Sequence, residues 1–109
     1  MANFEARTSA EPGRIIVSLD GECDLSAREH LTAVLLDALE RAKAVFVDLA
    51  RLTFLDSSGV HSLITAHHAA KHRGARVYVV NATGPVAAVL ELTGLDTLLR
   101  APAEDHRHA

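Results

Sequence analysis

Asp56-Ser57-Ser58-Gly59 holds the residues best suited to chemistry, and it follows the apolar run Ala44-Val45-Phe46-Val47-Asp48-Leu49 and then Phe54-Leu55. Two hydroxyls and a glycine stand where strand-forming residues give way to a helix-like pattern. A serine at such a junction meets the unpaired N–H groups and the positive dipole end of the helix, which favour a phosphate. The same serine also suits an ordinary N-cap, where replacement of Ser by Ala costs about 1 kcal/mol. One serine can cap while the other stays exposed. Local chemistry therefore leaves both a cap and a phosphorylation switch open.

Other catalytic and metal readings fare worse. His68 and His72 are four apart, so they share a helix face, as do His61 and His68. A zinc site takes three or four ligands, and no cysteine or Glu pair completes this one. His61, Thr65, His68 and His72 instead form one polar stripe that starts a turn after Ser57, either a wet surface or a partner-binding face. A serine-hydrolase elbow requires Gly-x-Ser-x-Gly, and Leu55 stands two positions before Ser57 where that turn needs glycine. Gly84-Pro85 has the wrong neighbours for a phosphate-binding loop. Neither catalysis, a metal nor a cofactor is expected.

Composition narrows the function classes. The chain has 109 residues, enough for one domain with one modest core, and its 49% hydrophobic content is that of a globular protein. A formal net charge of −3 gives no basic footprint for nucleic acid. Cys23 is the only cysteine, which rules out an internal disulfide and suits a reducing compartment. No apolar run approaches the ~20 residues needed to span a bilayer. Met1-Ala2-Asn3-Phe4-Glu5 has no basic region leading into an apolar one, so no signal peptide is expected.

The elements that must position the serines read as β-β-α-β-α-β-α with a final short β. Residues 3–8 form an edge strand carrying Phe4 and Ala6 inward, and Glu11-Pro12-Gly13 is a turn. Ile15, Val17 and Leu19 alternate as a half-buried strand, followed by a polar loop over Gly21-Glu22-Cys23-Asp24. Ser26 and Glu29 match a capping box ahead of Leu31, Val34, Leu35, Ala38, Leu39 and Ala42 at helical spacing. Residues 44–49 read as a central strand covered on both faces. A second helix spans about Ser58 to His72, with Val60, Leu63, Ile64 and Ala70 inward and Gly74 as its stop. Residues 76–80 form another strand. Gly84-Pro85 opens a third helix containing Val86, Val89, Leu90 and Leu92, and Gly94 closes it. Leu95, Leu98 and Leu99 dock as a last short strand or turn. The tail 101–109, with His106 and His108, is read as frayed. Alternating strands and helices predict an α/β domain with a small mixed sheet covered by helices.

On three of these segments the chain resembles the STAS-domain anti-sigma factor antagonist family. Gly21-Glu22-Cys23-Asp24 is similar to the family's Gly-Glu-x-Asp after the second strand. Leu49 through Gly59 resembles the signature before the second helix, and Leu92-Thr93-Gly94-Leu95 the Thr/Ser-Gly-Leu element after the third. Together they span about residues 4–100 of a single domain. Three departures are Leu55 where methionine is common, His61 where many relatives carry glycine, and Cys23 where an aliphatic residue is usual.

The resemblance implies a partner switch that is not an enzyme. The unphosphorylated form would bind an anti-sigma factor with a serine kinase domain of the histidine-kinase-like ATPase type and so release its sigma factor. Phosphorylation of Ser57, directly after the motif aspartate, would end binding, and a PP2C-type phosphatase would restore it. Asp24, Asp56, Ser58 and Gly59 would neighbour the switch, and Ser57, Gly59, His61, Thr65 and His68 would touch the partner. A cytoplasmic protein, monomeric when free and without direct contact to nucleic acid or membrane, is expected. The alternatives are a STAS subunit of a lipid-transport ABC system or of a stress-signalling scaffold complex.

Overall fold

A computed structural model describes residues 3–102. In chain order the elements are β1 (Phe4–Glu11), β2 (Arg14–Cys23), a 3-10 turn (Leu25–Ala27), α1 (Arg28–Arg41), β3 (Ala44–Leu55), α2 (Ser57–Arg73), β4 (Arg76–Val80), α3 (Gly84–Thr93) and α4 (Leu95–Leu98). The four strands lie side by side in chain order, with β1 antiparallel to β2 and the pairs β2/β3 and β3/β4 parallel. The expected mixed sheet and element order are those observed.

Alternation builds the core. Ile15, Val17, Leu19, Val45, Val47, Leu49, Val77 and Val79 project to one face and bury against Leu31, Leu35 and Leu39 of α1 and Leu63, Ala66 and Ala70 of α2. Each buried Leu or Val of this kind contributes roughly 1.5–3 kcal/mol by leaving water. The second face differs from the expected fully covered one. Phe46 is buried there by the Tyr78 ring, 4.9 Å between centroids, and by the Arg14 guanidinium 4.8 Å from its centroid.

The structure differs from the sequence reading at several places. The segment Gly21–Cys23 is strand, not loop, because β2 keeps pairing with β3 as far as Cys23 opposite Leu55, through register shifts near Gly21. Gly21 (φ 97°) lets the chain pass directly beneath the Asn3 carbonyl, which accepts from the Glu22 N–H at 2.8 Å. The capping box does not form. Asp24 takes the cap instead, its carboxylate accepting from the Ser26 N–H at 3.0 Å and the Ser26 hydroxyl at 2.6 Å, while α1 has no side-chain cap. The last segment, read as a short strand or turn, is the one-turn helix α4, followed by a single parallel bridge between Val79 and Arg100. Leu95 and Leu99 bury beneath it and Leu98 stays exposed. Leu92, one of the apolar residues of α3, is 88% exposed. Ala101, read as tail, is buried, whereas 103–109, with His106 and His108, lie outside the described residues.

Candidate functional site

β3 ends at Leu55 and α2 begins at Ser57, so Asp56 alone makes the connection. Its backbone is extended, and its carboxylate accepts from the Ser58 N–H at 2.9 Å. Asp56, not a serine, is therefore the N-cap of α2. Ser57 stands in the first turn, exposed, and its hydroxyl makes no hydrogen bond among the described residues. Ser58 is half-buried. The hydroxyl available to chemistry is therefore that of Ser57, beside the first free N–H groups of a 17-residue helix.

Asp24 closes the site from β2. The Asp56 N–H donates to the Cys23 carbonyl at 3.2 Å, which brings the two caps, Asp24 and Asp56, to the same end of the sheet. The Ser26 hydroxyl bonded to Asp24 holds its carboxyl below the ordinary carboxylate range, so Asp24 is an anion at neutral pH. Between them lies the buried Cys23 thiol. Burial, then the charges of Asp56 and Asp24, push its pKa up to about 12. A thiol held protonated is a poor nucleophile. Native protein is therefore expected to resist iodoacetamide at pH 8, while urea-unfolded protein alkylates fully. Because the folded pKa is raised, this thiol's contribution to stability is present below about pH 9 and declines as pH rises toward 12.

Gly59 faces inward, contrary to the partner-contact role expected of it. It is buried, and a Cβ there would meet the Leu55 side chain and, at 2.8 Å, the Cys23 sulfur. The close approach it permits is between α2 and the strand ends. His61, Thr65 and His68 do share one outward face, with both histidines exposed and Thr65 half-buried. Among the described residues, no three His, Cys, Asp or Glu side chains converge to hold a metal.

Two features escaped the sequence reading. Ser62 is fully buried, and its hydroxyl accepts from Thr32 of α1 at 2.8 Å and donates to the Arg28 carbonyl at 3.2 Å. This ties the start of α1 to the start of α2. The signal was a serine between Val60 and Leu63 on the inward side of the helix. The second feature is an apolar rim. A groove of about 230 Å³ runs from Leu55, Asp56, Ser57 and Val60 to Val89 and Leu92 of α3. Leu25 and Phe54 stand exposed at the same end of the sheet. The sequence reading named Leu92 only as part of the third helix, and its exposure beside Ser57 follows from how α3 lies on the sheet.

A family model described as "Mlab, STAS domain" matches residues 6–100. The chain is 25% identical over 95 residues to an anti-sigma F factor antagonist of Paenibacillus polymyxa, covering 85% of this chain and 81% of that one. Among solved structures it is similar to the anti-sigma factor antagonist SpoIIAA in its unphosphorylated form, at 23% identity and a TM-score of 0.76, covering 95% of this chain and 92% of the other. It is also similar to the Bacillus cell fate determinant SpoIIAA in its phosphorylated form, at 22% identity and a TM-score of 0.69 over 97% of each chain. These structural likenesses show a shared fold.

Proposed function

Because the chain belongs to the STAS domain family, we propose that it is an anti-sigma factor antagonist, a binding regulator whose affinity is switched by phosphorylation of Ser57. The observation that carries this reading is the division of labour at the junction. Asp56 caps α2, so the exposed Ser57 hydroxyl is released from any structural duty there. A curated relative bears that functional name, and SpoIIAA, which has the same fold, has been solved in phosphorylated and unphosphorylated forms.

The partner would be an anti-sigma factor whose own serine kinase domain modifies Ser57, with a PP2C-type phosphatase reversing the change. It would dock on Ser57, His61, Thr65 and His68 and on the adjoining groove, where Val89 and Leu92 supply apolar contact. Interface energy concentrates in such desolvated apolar anchors. A cytoplasmic location follows from this role, and no helix of the described residues is long and apolar enough to cross a membrane.

The test is incubation with the cognate kinase and ATP, followed by fragment mass spectrometry. Phosphate is expected on Ser57, with Ser57→Ala unlabelled. Phosphate on Ser58, or full labelling of Ser57→Ala, would refute the assignment. Recovery of an ABC-transporter ATPase in place of an anti-sigma factor on affinity capture would favour the lipid-transport alternative.

A further inference from the structure

The two ends of the sheet differ in charge. Asp20, Glu22, Asp24 and Asp56 gather at the Ser57 end, where Cys23 pairs with Leu55. At the other end, where Arg14 pairs with Ala44 and Ala44 with Arg76, cations collect. There a cleft of about 680 Å³ opens between the β1–β2 turn and the C-terminal ends of α1 and α2. Arg14, Arg41, Lys43 and Arg73 line it, against two carboxylates, Glu11 and Glu40. Ile15 and Leu39 make its floor apolar.

Helix dipoles explain part of this accumulation, since C-terminal carbonyls attract cations. Lys43 serves that purpose, its Nζ donating to the Arg73 carbonyl at 2.9 Å. Two of the arginines are held otherwise. Arg41 pairs through Nε with Asp37 of its own helix at 3.2 Å, and Arg14 pairs through Nε with Glu11 at 3.0 Å while lying over Phe46. The Phe46 contact carries the Arg14 guanidinium to the opposite face of the sheet, which leaves Arg41, Lys43 and Arg73 as the cations of the cleft. A cleft of several hundred Å³ with an apolar floor and charged residues in its lining is of the size and composition of a small-molecule site. Arginine is the residue best matched to the planar anions of phosphate and carboxylate.

We propose that this cleft binds a small organic anion, a phosphate or carboxylate on a compact apolar body. The anion lies among Arg41, Lys43 and Arg73, and the body lies against the Ile15–Leu39 floor. The site is at the far end of the strands from Ser57, so its occupancy does not depend on the partner-switch reading.

The experiment is an amide chemical-shift titration of the full chain with phenyl phosphate, and in parallel with inorganic phosphate and with phenol. Saturable shifts are expected at Gly13, Ile15, Ala42 and Lys43, with phenyl phosphate binding at least fivefold tighter than either fragment. Arg73→Gln and Arg41→Gln, each checked by circular dichroism, are expected to weaken it at least fivefold. The proposal is overturned if no saturable shifts occur, if they map to the Ser57 end, or if both folded variants bind as tightly as the parent. Co-sedimentation with phosphatidylglycerol vesicles that phenyl phosphate does not compete away would also overturn it, assigning the cations to a lipid surface.

Discussion

Ser57→Asp is expected to lose at least a hundredfold in affinity for the anti-sigma factor, while Ser57→Ala binds as the parent does and both variants unfold as the parent does. Ser57 is exposed in the first turn of α2, with Asp56 beside it and Asp24 on the neighbouring turn. A phosphoserine adds about −1.5 to −2 charges at pH 7. Within the chain, that charge meets a helix N-terminus, where an anion gains roughly 0.3–1 kcal/mol. The fold therefore has no reason to rearrange. A partner docking there must desolvate the new anion and approach two carboxylates, and like-charge juxtaposition at an interface costs several kcal/mol. A hundredfold loss needs only about 3 kcal/mol. Titration calorimetry with the purified anti-sigma factor, paired with thermal melts, reads both quantities. Normal binding by Ser57→Asp together with a changed circular dichroism spectrum would make the switch conformational and this account wrong.

Gly59→Val is expected to destabilise the domain by about 2 kcal/mol, in the range for overpacking a filled core. For a domain of this size that corresponds to roughly 10 °C in Tm. The added carbons would enter the space held by the Leu55 side chain and the Cys23 sulfur, at the point where α2 leaves the sheet. His61→Ala, on the exposed face of the same helix, is expected to stay within about 0.5 kcal/mol of the parent. The pair of melts separates the two roles that glycine could have at this position. If Gly59→Val kept the parental Tm and lost only partner binding, Gly59 would belong to the docking face and the buried packing described above would be irrelevant.

The sequence by itself determined the element order, the inward residues of β2, the apolar runs of β3 and β4, the amphipathic α1, and the position of Ser57 at a strand-to-helix junction. Each of these rests on local periodicity or on one residue's backbone preference. What only the tertiary structure decided depends on neighbours remote in the chain. Gly21–Cys23 became strand because β3 was there to pair with it. The cap duties fell to Asp24 and Asp56, although serines stood one or two positions away, because the extended residue leaving each strand is the one whose carboxylate reaches the next helix's N–H groups. The inward aim of Gly59 was set by where Leu55 and Cys23 end their strands. Leu92 shows the limit most plainly. Helical spacing assigns it to a face, but only the placement of α3 against β3 decides that the face at that point is open to solvent beside Ser57.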